Sequence, residues 1–163
     1  MSTSAVPGRF SPKPVTAVGR VREVSRLVAA RLSDVEAWAE VAAAQSPTLV
    51  VIDQAVDLRR RLADVAYLAR SVLEDVPTTA AWEETRLAAA AVASSLDAAG
   101  HTVSPVATAL CRQDDLHDTA QLSAGVTRQF LMAAAAATAD LQGLLEHASP
   151  DAGLDRQHPW AIP

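Results

Sequence analysis

A chain of 163 residues, half of them hydrophobic and with a net charge of −5, is about one domain long and can bury a real core, which excludes a wholly disordered protein. Thirty-five residues are Ala, whereas Phe, Tyr and Trp together number six. Ala is the best helix former and loses no side-chain entropy on ordering, so the composition predicts an all-α protein with a thin core of Ala, Val and Leu.

A lone cysteine, Cys111, excludes an intramolecular disulfide and reads as a buried structural thiol. No stretch alternates with the period of a sheet strand. The most apolar window, residues 131–139, is far shorter than the roughly 20 residues that span a bilayer. Thirteen Arg against one Lys reads as the codon bias of a GC-rich genome rather than as chemistry.

Residues 1–14 hold three prolines, a glycine and several Ser and Thr, without the apolar run of a signal peptide. They read as a flexible basic arm, and the expected location is the cytoplasm. A helical domain is expected over 15–149. A first helix is predicted over about 15–44, where Val18, Val21, Val28, Leu32, Val35, Ala39 and Ala42 share a face. Ser33 and Glu36 have capping-box spacing, but the apolar phase runs through them, so one helix is favoured.

The second helix is predicted to start with Ser46 as cap and Pro47 in its first turn. Val51, Ala55, Leu58, Leu62, Val65, Ala69, Val72 and Val76 then alternate in four- and three-residue steps, a coiled-coil-like seam. Pro77 stops it. A third helix, the shortest, is expected from Thr79 to Ala99, with Trp82, Ala89, Val92 and Leu96 inward and Gly100 as its C-terminal cap. Ser104-Pro105 repeats the earlier start signal and opens a fourth helix to about Ala148, with a seam of Val106, Leu116, Ala120, Phe130, Ala134, Leu141 and Leu144. A break near 114–119 is compatible with the Asp-rich sequence there. Residues 150–163, with Pro150, Pro159 and Pro163, form a second flexible tail.

Short connections between long amphipathic helices enforce antiparallel neighbours, so the predicted fold is an antiparallel four-helix bundle with flexible N- and C-terminal tails. Because the helices are unequal, part of the first or fourth should protrude with its apolar stripe uncovered, which points to an oligomer or a protein partner.

Chemistry-bearing patterns are sparse. Asp114, His117 and Asp118 lie three and four positions apart and share a helix face. This is half of a bundle-type metal site, which needs matching ligands from facing helices; oxygen and nitrogen donors of this kind suit a hard or borderline divalent ion. His101 and His147 are accounted for by helix ends. There is no Gly-rich phosphate loop, no nucleophile elbow and no paired cysteine motif, so no resident cofactor is expected. Arg59, Arg60 and Arg61 lie off the seam, with Asp57 and Asp64 placed to pair with them.

Charge is uneven: residues 1–31 carry six basic side chains against one acidic, and the rest eight against eighteen. Arg9, Lys13, Arg20, Arg22 and Arg26 are therefore the candidate contacts for an anionic partner, nucleic acid included. The acidic body opposes a polyanion. Trp160, on an apolar C-terminal end with Ile162, is a candidate contact for the bundle itself or for a partner. The reading favoured is a non-enzymatic interaction or scaffold protein whose partner is itself or another protein, not a membrane. A nucleic-acid accessory factor and a metal- or small-molecule-binding bundle are the alternatives.

Overall fold

A computed structural model of the chain describes residues 17–109 and 112–152. Four helices carry the fold: α1 (Ala17–Ala43), α2 (Thr48–Asp75), α3 (Glu83–Ala107) and α4 (Leu116–Ala152). Single 3-10 turns, Ala80–Trp82 and Gln113–Asp115, lead into α3 and α4. No strand occurs among the described residues.

The helices pack as a ring in chain order, with α4 closing on α1, while the diagonal pair α2 and α4 barely meet. Cross-helix contacts run in opposite senses along α1–α2 and along α1–α4. Arg20 of α1 meets Asp75 at the end of α2, and Trp38 meets Val51 near its start. Arg22 and Glu36 of α1 meet Glu146 and Arg128 of α4. These contacts set α2 and α4 antiparallel to α1, in keeping with the short α1–α2 connection.

All eight residues of the predicted α2 seam are buried. Trp38 is the bulkiest fully buried side chain, and Trp82 is buried too. α1 is one uninterrupted helix; exposed Ser25 lies off the core face, and its neighbour Val24 is buried instead. One layer joins Val21 and Val24, Ala69 and Val72, Ala89 and Val92, and Thr138 and Leu141, contributed by the four helices in turn. From this layer α2 ends at Asp75, whereas α4 runs on to Ala152. α3 is the shortest helix at 25 residues and α4 the longest at 37.

Three expected boundaries are corrected. Gly100 does not cap α3, which continues to Ala107 with Pro105 in its last turn. Proline there removes the amide that would donate to the His101 oxygen; one residue earlier the Ser104 hydroxyl donates to the Gly100 oxygen, 3.1 Å. The residue that ends α3 in the left-handed region is Ala109, with φ of 51°. Ser104-Pro105 therefore does not open α4, which begins at Leu116. Ser46 does not cap α2: Pro47 occupies the flanking position, and its carbonyl oxygen accepts from the Val50 and Val51 amides.

In α4 the buried residues are Leu116, Ala120, Ala124, Thr127, Leu131, Ala134, Thr138, Leu141 and Leu145. Phe130 and Leu144, expected on the seam, are only half-buried. They sit one position short of the buried Leu131 and Leu145.

Candidate functional site

Arg9, Lys13, Cys111 and Trp160 lie outside the described residues. The described cations of the basic end each face a carboxylate. Arg20 meets Asp75, Arg22 meets Glu146 at 3.2 Å, and Arg26 clasps Glu23 at 2.6 and 2.8 Å. The Arg26 hydrogen bond holds Glu23 below the ordinary carboxylate pKa and pushes Arg26 further up. These guanidinium groups are thus already matched within the bundle, which leaves them less disposed to meet a phosphate.

The Asp114, His117 and Asp118 set divides. Asp114 lies on the 3-10 turn before α4, and Asp118 in the first turn of α4. The His117 ring turns to the Ser46 carbonyl oxygen, Nε2 at 2.7 Å. A carbonyl only accepts, so Nε2 carries the proton, and the ring pins the start of α4 to the α1–α2 connection. Among the described residues no group of three or more His, Cys, Asp or Glu side chains is placed to hold a metal ion. His101 and His147 each turn Nδ1 to a carbonyl oxygen four residues back, Asp97 and Gly143 respectively.

Of the Arg59–Arg61 run, Arg60 and Arg61 belong to a network between α1 and α2. Arg60 pairs with Asp57 rather than Asp64, and Arg61 reaches Asp57 at 2.7 Å and Asp34 at 3.4 Å. Arg31 lies 2.8 Å from Asp34, but its Nε–H is not aimed at an acceptor. An open cleft of about 370 Å³ lies here, lined by Asp34, Ala37, Trp38, Asp53, Leu58 and Arg61 among others. Asp34, Asp57 and Arg61 are matched with one another, and the cleft holds no nucleophile with an adjacent base.

The outer surface of α4 has a different character. Leu122, Met132 and Val126 are 73%, 51% and 42% exposed. From Gln121 to Ala139 the exposed residues also include Gly125, Gln129, Ala133 and Ala136, and the sole exposed charge is Arg128. Exposed Leu49, Val56 and Tyr67 of α2, by contrast, lie among exposed Asp53, Arg59, Arg60, Asp64 and Arg70. The stripe expected from the sequence was one that protrudes beyond the bundle; this face is instead the outer side of a stretch of α4 that packs within it, through Thr127, Arg128 and Thr138. The available signal was a second three- and four-residue repeat in α4, out of phase with the core. No family model, curated protein or solved structure matches the chain.

Proposed function

We propose that this chain is a non-enzymatic interaction bundle that engages a protein through the outer face of α4. The supporting observation is that five turns of this helix expose Leu122, Val126 and Met132 with one charge among them. Fully burying one such side chain gains about 1.5–3 kcal/mol, and exposed apolar surface with little charge suits an interaction site. Association also costs rigid-body and side-chain freedom, so the face suits a reversible contact.

The test compares the wild type with Met132→Lys in two assays: self-association by sedimentation, and affinity capture from cells that express the protein. Met132 is half exposed, so the variant should melt like the wild type. The expected result is an association, with itself or with a captured protein, that Met132→Lys abolishes. A chain that neither self-associates nor captures a protein sensitive to this change overturns the proposal.

A further inference from the structure

We infer that the groove between α2 and α3 binds inorganic phosphate, with Arg59 pairing with the anion and His101 accepting its remaining proton. The inference is independent of the outer face of α4.

The groove has a volume of about 170 Å³, with Ala63, Ala66 and Leu96 as its apolar lining and Arg59, His101 and Ser104 among its polar lining. It is smaller than the pockets that take drug-sized molecules, so it suits a small ion. Of the three consecutive arginines, Arg60 and Arg61 are matched by Asp57 and Asp34. Arg59 has no carboxylate partner among the described residues. The carboxylate that lines the groove, Asp97, is held by Arg70 at 2.5 Å. The Arg59 charge is thus left for an external anion, and its guanidinium offers the fork of N–H donors that fits a phosphate.

Gly100 is a residue for which the fold has no use. Glycine inside a helix costs stability relative to alanine. α3 runs through Gly100 to Ala107, so it is not a cap. A Cβ added there would meet nothing within 4 Å, so no neighbour excludes a side chain. Gly125 and Gly143 are as open, but Gly100 lines a cavity together with an unmatched cation. A methyl group at this position would take up space that the ion needs.

The hydrogen-bond polarity of the groove selects among anions. His101 directs Nδ1 to the Asp97 backbone oxygen at 2.7 Å. A carbonyl only accepts, so Nδ1 carries the proton and Nε2 of the neutral ring is an acceptor. The Ser104 hydroxyl gives its hydrogen to the Gly100 oxygen, 3.1 Å, which leaves its lone pairs. A fully ionised anion such as sulfate would pair with Arg59 and meet two acceptors with no hydrogen to offer them. Hydrogen phosphate matches both: its charged oxygens accept from Arg59, and its P–OH donates to His101 Nε2 or Ser104 Oγ.

NMR titration of the amide resonances of the full chain tests the site, with inorganic phosphate, sulfate and glycerol phosphate compared at mildly alkaline pH and constant ionic strength. Inorganic phosphate then keeps one proton, whereas sulfate and the phosphate ester keep none. Phosphate should give saturable shifts between Arg59 and Ala66 and between Asp97 and Ser104, in the millimolar range fitting an exposed ion pair. Sulfate and the ester should bind about tenfold more weakly or worse. Gly100→Ala should melt no lower than the wild type yet lose the phosphate response, and Arg59→Gln should weaken it about tenfold or more. The inference is overturned by the lack of a saturable response to phosphate, by sulfate or the ester binding as well as phosphate, or by either variant binding phosphate like the wild type.

Discussion

The indole Nε1–H of Trp38 in α1 donates to the backbone oxygen of Val51 in α2 at 3.1 Å. The ring is 1% exposed and Val51 is fully buried, so this bond satisfies the polar edge of the bulkiest core side chain. It also ties α1 to α2, the least closely packed adjacent pair in the ring.

Replacing Trp38 separates the bond from the packing. Trp38→Phe keeps an aromatic ring but removes the donor, and should cost about 1–2 kcal/mol, a net hydrogen bond with some lost volume. Trp38→Ala should cost about 3–5 kcal/mol, because a cavity is added to the lost burial. Urea unfolding followed by circular dichroism measures both. A Trp38→Phe variant as unstable as Trp38→Ala would show that the bond, not the ring, carries the stability.

Gln45 ends α1 in the left-handed region, with φ of 54°. The Gln45 amide reaches the Ala42 oxygen at 3.1 Å, and the Ser46 amide reaches the Val41 oxygen at 3.3 Å. These paired bonds make a Schellman cap, in which glycine is the unstrained residue. Gln45→Gly should therefore stabilise the protein by about 1 kcal/mol, from the relief of left-handed strain. Gln45→Val should destabilise it, since a β-branched residue is worse still in this conformation. Ala109→Gly should act like Gln45→Gly. Thermal melts with the three variants side by side give the order directly.

Two buried threonines of α4 should respond in opposite directions to valine. The Thr138 hydroxyl donates only to the Ala134 oxygen of its own helix, 2.6 Å. It lines a void of about 10 Å³ whose other walls are Val, Ala and Leu. A water there would lack polar partners, so the void is dry. Thr138→Val adds apolar burial and should stabilise by about 0.5–1 kcal/mol. Thr127 instead bridges the Ser123 oxygen and the Thr102 hydroxyl of α3, both at 2.6 Å. Thr127→Val breaks that cross-helix link and should cost about 1 kcal/mol. Chemical denaturation resolves the two signs.

Glu146 should titrate below the ordinary carboxylate value. The Gln142 amide is the largest cause and Arg22 the next. A carboxyl depressed in the folded state adds stability above its unfolded pKa, and that stability is lost as pH falls through the folded one. The gap between wild type and Glu146→Gln should thus be present at neutral pH, small because the group is exposed, and should close on acidification. NMR titration of the Glu146 carboxyl should show a larger upward move in Gln142→Leu than in Arg22→Leu.

Local pattern was enough for the helical class and for the α2 core. Alternating steps from Val51 to Val76 with charges elsewhere leave one face able to bury, and all eight residues are buried. Helix ends were less legible, because an end depends on what its last groups meet. Gly100 and Ser104-Pro105 are strong local stop and start signals, yet α3 passes through all three. Its true end is the left-handed Ala109, a residue with no preference for that conformation. Ser46 offers a hydroxyl for capping, but it is its carbonyl oxygen that is engaged, by His117 some seventy residues on. The phase of α4 was ambiguous for a related reason. Ala and Leu occupy both sides of this helix, and two threonines stand at core positions, so hydrophobicity alone does not distinguish inside from outside. Docking against α1 and α3 selects the face carrying Leu131 and Leu145 for the core, and so turns Leu122 and Met132 outward.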